Sequence, residues 1–285
     1  MRIKVGGIRL YVDIEGSGLV ADGPQMREKP TLILVHGGPG ADHAIYKPDF
    51  GRLSDLCQIV YYDQRGNGRS DDGDPADWCL DTWADDLKEL CDILGIERPV
   101  VFGASFGGVV AQAYATRYPD HPRALVLAST TARTDFGTIY EAFEQLGGAE
   151  AGAVARTYWS NPTPEGRAAY FETCLPLYGS TPPEPNVMRR VILKNDVALH
   201  YNGPSNEQGR FDFREALAKV TCPTLVINGT DDPIMPMVFS ETLAASLPNA
   251  QHHIIENAAH MLPQDQPTVF FSRPEPFIKE VSDAA

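Results

Sequence analysis

Long apolar runs and an excess of positive charge are both missing from this sequence of 285 residues. No stretch approaches the roughly 18 consecutive apolar residues that identify a membrane-spanning helix. The 24 lysines and arginines are outnumbered by 38 aspartates and glutamates, so the net charge is −14. Nucleic acids and anionic membranes attract basic surfaces, and we therefore expect the protein to bind neither.

Cysteine pairs are missing as well. The number of cysteines is odd and none belongs to a Cys-x-x-Cys arrangement; they are Cys57, Cys79, Cys91, Cys174 and Cys222. This pattern predicts reduced thiols and argues against a disulfide framework or a zinc site. The segment Met1–Leu10 has a strand-like pattern and lacks the apolar centre of a signal peptide. We therefore expect a cytoplasmic protein.

Short buried strands alternate with helices in the first part of the sequence. Two antiparallel strands are predicted around a Gly-Gly turn, over residues 3–10 and 11–14. Continuous apolar runs then predict strands buried on both faces, with helical segments between them. These runs cover residues 31–35, 57–62, 100–102 and 124–128. The alternation is typical of a mostly parallel sheet flanked by helices.

The pattern changes after residue 133. Residues 134–214 are rich in proline, and the segments between the prolines have a helical pattern without a buried strand. Strand-like runs return at 224–228 and 251–255. We therefore predict one α/β domain, built from residues 1–133 and 215–285, with a helical cap over residues 134–214 inserted after the sixth strand. An insertion of this size is long enough to act as a lid over a cleft.

The segment around Ser105 carries the strongest chemical signal. It places Gly103-x-Ser105-x-Gly107 between a predicted strand and a predicted helix. A sharp turn between strand and helix projects the central side chain outward, and it needs small residues on both sides because the backbone closes on itself. We predict that Ser105 is a catalytic nucleophile.

A serine nucleophile needs a base and a carboxylate, which follow it along the chain in this kind of fold. The loop after strand 224–228 offers Asp231 and Asp232, and the spacing to Gly229 and Pro236 favours Asp232. The base is predicted to be His260, which lies in a loop after strand 251–255. Two alternative histidines, His252 and His253, lie inside that strand.

The oxyanion of the reaction needs two backbone N–H donors. The residue after the nucleophile, Phe106, is predicted to supply one. The glycine-rich loop His36–Gly40 follows the first buried strand, and glycine lets its backbone approach a substrate closely. We predict that the N–H group of Gly38 is the second donor.

Three motifs together resemble the α/β-hydrolase superfamily, and within it the proline iminopeptidase family. They are His36–Gly40 (HGGPG), Tyr62–Ser70 (YDQRGNGRS) and Gly103–Gly108 (GASFGG). With the loops of Asp232 and His260, the resemblance covers most of the predicted core. It implies an α/β-hydrolase fold and a serine hydrolase that uses neither a metal nor an organic cofactor.

The resemblance also implies roles outside the triad. The Asp-Gln-Arg-Gly segment is mainly a structural turn in these enzymes, which implies scaffold roles for Asp63, Arg65 and Arg69. Arg65 is also a lesser candidate for supporting the site. In the predicted cap, Tyr201–Glu207 resembles the Asn-Gly-Pro-Asn-Glu stretch of the tricorn-interacting aminopeptidases, with one residue inserted. Glu207 matches the glutamate that helps hold the amino terminus of the substrate.

Two departures from the family pattern mean that the sequence is compatible with several substrate classes. A second glutamate follows the catalytic aspartate in the tricorn-interacting enzymes, where this chain has Pro233. Trp159, a predicted substrate contact, only partly matches the tryptophan-rich cap of the proline-specific members.

The first hypothesis is an aminopeptidase of proline iminopeptidase type, acting on a short peptide. The alternative is an esterase, lactonase or amidase for a small uncharged acyl compound. A remote alternative is a small-molecule receptor without hydrolytic activity. The sequence does not indicate an oligomeric state.

Overall fold

The strands of the chain lie in one large sheet and one small antiparallel pair. The computed structural model describes residues 1–182 and 186–283. Its strands are β1 (Arg2–Val5), β2 (Ile8–Glu15), β3 (Leu19–Asp22), β4 (Gln25–Glu28), β5 (Thr31–Val35), β6 (Gln58–Tyr62), β7 (Val100–Ala104), β8 (Ala124–Ala128), β9 (Thr224–Gly229) and β10 (Ala250–Ile255). In the described part of the chain, the large sheet has eight strands in the order β1-β2-β6-β5-β7-β8-β9-β10, and β3 pairs only with β4.

The sheet is parallel from β6 to β10, and β1 and β2 form an antiparallel edge. In the register of the central strands, Val35 of β5 lies opposite Gly103 of β7. Ala104 of β7 lies in turn opposite Ala128 of β8. The carboxyl ends of these strands therefore meet at one edge of the sheet, where ligands bind in open α/β folds.

The helices connect these strands on both sides of the sheet. They are α1 (Leu80–Leu94), α2 (Phe106–Arg117), α3 (Phe136–Ser160), α4 (Pro164–Thr173), α5 (Val187–Arg190), α6 (Asn195–Tyr201), α7 (Met237–Ala245), α8 (Leu262–Asp265), α9 (Pro267–Phe271) and α10 (Pro274–Asp283). Gly148 interrupts α3, because its φ of 78° is not helical. The helices α3 to α6 lie between β8 and β9, and β8 is the sixth strand of the large sheet.

Alternate residues of the buried strands pack on opposite faces of the sheet. In β5, Ile33 and Val35 belong to an apolar cluster that includes residues of α1 and α2. Leu32 and Leu34 belong to a second cluster, which includes residues of α9 and α10. Burial on both faces is the physical reason for the continuous apolar runs. The predicted fold class, a mostly parallel sheet flanked by helices with a helical cap after the sixth strand, is confirmed.

The cap has an apolar cluster of its own, which also reaches the second part of the core. Residues of α3 and α4 pack there against Ile234 and Met235, in the loop after β9. The predicted cap boundaries at residues 134 and 214 stay a prediction, and residues 183–185 and 284–285 lie outside the described residues. No helix in the described ranges is both long enough and apolar enough to cross a bilayer.

The two N-terminal strands differ in extent from the prediction. They cover Arg2–Val5 and Ile8–Glu15, not residues 3–10 and 11–14. The reversal occurs at Gly6 and Gly7, which have φ values of 53° and 82°. A two-residue hairpin turn with positive φ at both positions favours glycine, so the turn residues fix the strand ends.

The five thiols differ strongly in accessibility. Cys57, Cys91, Cys174 and Cys222 are buried, and Cys79 is partly exposed. Burial raises the pKa of Cys57 and Cys91 to about 12, and that of Cys174 and Cys222 to about 11. Because the thiolate is the reactive form, these four thiols should react slowly.

We therefore expect one fast-reacting thiol per folded chain with a disulfide reagent at pH 8, and five after denaturation. The absorbance of the released thiolate measures both numbers. The Cys79→Ser variant should lose the fast reaction and keep the rest. Two or more fast thiols in the folded protein would contradict the burial of the other four.

Candidate active site

Ser105 lies at the sharp turn between β7 and α2. Its φ of 55° and ψ of −125° are unusual for a residue with a side chain. Its backbone is held at the end of β8, because its N–H donates to Ala128 O at 3.0 Å and its carbonyl accepts from Thr130 Oγ1 at 2.8 Å. The strained conformation is that of a nucleophile elbow.

The two glycines beside Ser105 allow this turn to close. A Cβ atom on Gly103 would lie 2.4 Å from Gly107 O, and a Cβ atom on Gly107 would lie 2.1 Å from Val35 O. Neither position can hold a larger residue without a shift of the backbone. The Gly-x-Ser-x-Gly spacing therefore has a steric cause at both glycines.

Asp232 and His260 are joined by a hydrogen bond. Asp232 follows β9, and its Oδ2 lies 2.8 Å from Nδ1 of His260 in the loop after β10. Its Oδ1 accepts from the N–H groups of Ile234 at 3.0 Å and Met235 at 2.8 Å. The aspartate side chain is fully buried and that of His260 is 8% exposed. This geometry fixes the carboxylate and leaves Nε2 of His260 as the free ring nitrogen.

The residues that competed for these positions lie elsewhere. Asp231 is exposed, and its N–H donates to Ala258 O at 3.0 Å. His252 and His253 both lie within β10, and Nε2 of His252 is 3.0 Å from Ser240 Oγ. The structure therefore brings Asp232 and His260 together and separates the alternatives from them.

The loop after β5 is held by a buried histidine. His36 accepts the Gln64 N–H at Nε2 (3.1 Å), so its Nδ1 carries the proton that Gly37 O accepts at 2.8 Å. Burial lowers the pKa of His36, which favours this neutral form. Asn67 Oδ1 also accepts the Gly40 N–H at 2.8 Å. The HGGPG loop is thus bonded to the loop after β6.

Asp63, Arg65 and Arg69 also bind other parts of the scaffold. Asp63 Oδ1 accepts from Nδ1 of His43 at 2.6 Å, and its Oδ2 accepts from the Arg69 N–H at 2.7 Å. Burial alone would raise the pKa of Asp63, but the hydrogen bonds from His43 lower it below its usual range. Arg65 donates to the buried Asp86 through Nε and Nη2, at 2.9 and 2.7 Å. None of these three side chains lines the two cavities beside Ser105.

The backbone N–H groups of Gly38 and Phe106 lie near Ser105 and have no acceptor among the described residues. Gly38 has a φ of 130°, and Phe106 is the first residue of α2. Neither N–H donates to an acceptor in the described part of the chain. The first N–H groups of a helix are left free by its geometry. Unpaired donors of this kind are what an oxyanion hole requires.

A cavity of about 280 Å³ lies at the carboxyl ends of the central strands. Ser105, His260, Gly38 and Trp159 all line it, among mostly apolar and aromatic side chains. A smaller cavity of about 50 Å³ shares Ser105 and Gly38 and adds Phe106. Ser105 and Gly38 thus line both cavities, His260 lines the larger one and Phe106 lines the smaller one.

No hydrogen bond joins Ser105 Oγ to His260 among the described residues. Catalytic hydrogen bonds are often long in a structure without substrate and tighten when the reactants bind. The two side chains meet in the same cavity, and Tyr178 packs edge-on against the His260 ring with centroids 5.0 Å apart.

Glu207 is not brought together with the other predicted site residues. It lines neither cavity. Its Oε2 accepts from Arg210 Nη2 at 3.0 Å, and its Oε1 accepts from the Leu80 N–H at 3.4 Å. The carboxylate is thus engaged away from Ser105. Glu207 is the first residue of the short helical turn Glu207–Gly209.

Three residues of the site were missed by the sequence analysis. Asp265 holds the loop of the histidine, since its Oδ2 accepts the Ala259 N–H at 2.8 Å. Tyr178 contacts His260 from the cap, and Arg167 lines the large cavity. The sequence offered a signal for Asp265, because it is an acidic residue that lies only five positions after His260. The cap residues had no such signal, because their position depends on how the helices fold back.

The comparisons with known proteins concern the fold and the family. A family model described as the alpha/beta hydrolase fold matches residues 30–267. RutD of Azorhizobium caulinodans, to which carbamate hydrolysis is attributed, is 28% identical over 274 residues, or 93% of either chain. The proline iminopeptidase of Lactobacillus helveticus is 27% identical over 254 residues, which is 82% of this chain and 84% of its own. A thermophilic esterase from Thermogutta terrifontis is 28% identical over 99% of both chains, with a TM-score of 0.73. Since the family model matches most of the sequence, the chain belongs to the alpha/beta hydrolase fold family and has relatives of proline iminopeptidase type.

Proposed function

We propose that the protein is a serine hydrolase that cleaves carboxylic esters or amides through an acyl-enzyme. The observation that carries this proposal is the hydrogen-bonded pair of Asp232 and His260, which shares a cavity with the strained Ser105. The relatives support the same class of chemistry, since esters, carbamates and peptides are all cleaved at a carbonyl carbon.

In the proposed reaction, Ser105 Oγ attacks the substrate carbonyl while Nε2 of His260 takes the hydroxyl proton. Asp232 holds the ring and stabilises the imidazolium that forms. The N–H groups of Gly38 and Phe106 stabilise the negative oxygen of the tetrahedral intermediate. His260 then protonates the leaving alcohol or amine. A water molecule attacks the acyl-enzyme by the same route and releases the acid.

The substrate side of the cavity favours the ester or amide hypothesis over the aminopeptidase hypothesis. A substrate with a free amino terminus needs a carboxylate partner, because a desolvated ammonium group without one is costly. Glu207 is engaged by Arg210 and Leu80, and the acidic residue that lines the cavity in the described ranges, Asp49, is exposed. The HGGPG loop and the proline iminopeptidase relatives still favour the aminopeptidase as a second candidate.

The test compares p-nitrophenyl butyrate with proline p-nitroanilide, using kcat/KM from the released chromophore. We expect turnover of the ester, little turnover of the anilide, and loss of both in Ser105→Ala. Strong cleavage of the anilide would establish the second candidate. Absence of any Ser105-dependent turnover would contradict the proposal and favour a receptor.

A fluorophosphonate probe tests the nucleophile without a substrate assumption. The Ser105 oxygen should form a bond to phosphorus and release fluoride, giving one adduct per chain by mass spectrometry. Ser105→Ala should give no adduct, whereas Ser160→Ala, at an exposed position of α3, should give the same adduct as the unchanged protein.

A further inference from the structure

Arg167, in α4 of the cap, lines the same cavity as Ser105 and His260. It is only 8% exposed. Its Nε donates to Asn195 Oδ1 at 2.9 Å, and its Nη1 donates to the Tyr158 hydroxyl at 3.2 Å. No carboxylate in the described part of the chain lies within 4.0 Å of the guanidinium. Among the described residues, the cavity thus contains a buried positive charge without a counter-ion.

The groups around Arg167 satisfy it only in part. A guanidinium carries five N–H donors, and the amide and the phenol occupy two of them. The Phe171 ring lies under the guanidinium, with the central carbon 4.4 Å from the ring centroid. A ring face attracts a cation but does not neutralise it. Because an unpaired buried charge is costly, the site favours a ligand that carries the opposite charge.

Tyr158 adds a second donor beside Arg167. Its hydroxyl oxygen accepts from Arg167 and also from Nδ2 of Asn202, at 2.7 Å. With both lone pairs occupied, the phenol can only donate its own proton further. That proton has no acceptor among the residues that the structure describes, although Tyr158 is 1% exposed and lines the cavity.

We propose that Arg167 and Tyr158 form a carboxylate-binding subsite, and that the substrates are esters or amides carrying a free carboxylate besides the bond that is cleaved. This inference rests on the proposed hydrolase function and specifies its substrate class. A planar guanidinium and an adjacent hydroxyl match the two oxygens of a carboxylate. Asp49 is the acidic residue that lines the cavity within the described ranges, and it is exposed to solvent. The buried side of the cavity formed by the cap therefore carries the positive charge of Arg167.

Binding to the Ser105→Ala variant tests the subsite without any turnover. The probes are the monomethyl esters of succinic, glutaric and adipic acids, each paired with the neutral dimethyl ester of the same acid. Titration calorimetry gives the ratio of the two dissociation constants. We expect the best monoanion to bind about 10- to 100-fold more tightly than its neutral partner, as a charged hydrogen-bonded pair allows.

Variants in the same background assign the preference to named groups. Arg167→Met should bring the ratio close to one, and Arg167→Lys should keep part of it because the charge remains. Tyr158→Phe should lower the ratio several-fold through loss of one donor. Arg156→Met is the matched control, since Arg156 also lies over a ring, that of Tyr140, but is exposed and does not line the cavity.

The outcomes separate this inference from the proposed function. Equal binding of the monoanions and the neutral esters would overturn the subsite, even where Ser105-dependent ester turnover is intact. An equal loss of affinity for both probes in Arg167→Met would also overturn it, because that result is expected of a residue that only holds Tyr158 and Asn195. A clear anionic preference that depends on Arg167 would support the subsite, even in a protein without hydrolytic activity.

Discussion

Replacing Asp232 by asparagine should lower kcat for ester hydrolysis by about 10³- to 10⁴-fold while the protein stays folded. Oδ1 of Asp232 accepts two backbone N–H groups, from Ile234 and Met235. An amide can satisfy these donors only with its oxygen, so its NH₂ group must face Nδ1 of His260. That nitrogen would then accept, the proton would move to Nε2, and the ring could no longer take a proton from Ser105.

The neighbouring Asp231 provides the matched control. It carries the same side chain on the same loop but is exposed and forms no bond to His260. Asp231→Asn should retain kcat within about twofold, because its charge is solvated and screened. Steady-state kinetics of both variants, with thermal unfolding to verify the fold, would decide the matter. A full kcat in Asp232→Asn, or an equal loss in both, would rule out the proposed role of Asp232.

The positions of the catalytic candidates could be predicted because local backbone chemistry determines them. Gly103 and Gly107 have no room for a Cβ atom, so the elbow leaves a pattern that any sequence with this turn must show. The choice of Asp232 over Asp231 rested on its spacing to Gly229 and Pro236. The structure gives this choice a physical cause, because Asp232 is buried whereas Asp231 is exposed. Side chains that are fixed by their own turn can therefore be predicted from the sequence alone.

Substrate-binding groups could not be predicted in the same way. Arg167 comes to the cavity through the packing of α4 on α3, a contact between residues that no local pattern records. Glu207 shows the opposite case, since its motif matched a family but its carboxylate is bound by Arg210.

The β3–β4 pair was missed for another reason. Its strands have only four residues each and are largely exposed, so they lack the apolar alternation that indicates a strand.

The largest effect on stability is expected from Gly107→Ala. The first turn of α2 passes directly over the end of β5, and a Cβ atom on Gly107 would lie 2.1 Å from Val35 O and 2.6 Å from His36 O. Both obstructing atoms belong to the backbone, so no side chain can turn aside to relieve the contact. Either the elbow or the central strand must move, and both are buried. We expect the free energy of unfolding to fall by more than about 3 kcal/mol.

Gly137→Ala separates this steric effect from the general effect of adding a methyl group to a helix. Gly137 is exposed in the first turn of α3, and the nearest atom to an added Cβ is Oδ1 of Asp135, at 3.2 Å on a side chain that can move. Alanine has a higher helix propensity than glycine. The free energy of unfolding of this variant should therefore lie within about 1 kcal/mol of that of the unchanged protein. Urea unfolding of both variants gives the comparison. A Gly107→Ala protein as stable as Gly137→Ala would mean that the elbow has space which the structure does not show, and that the glycine is not required by packing.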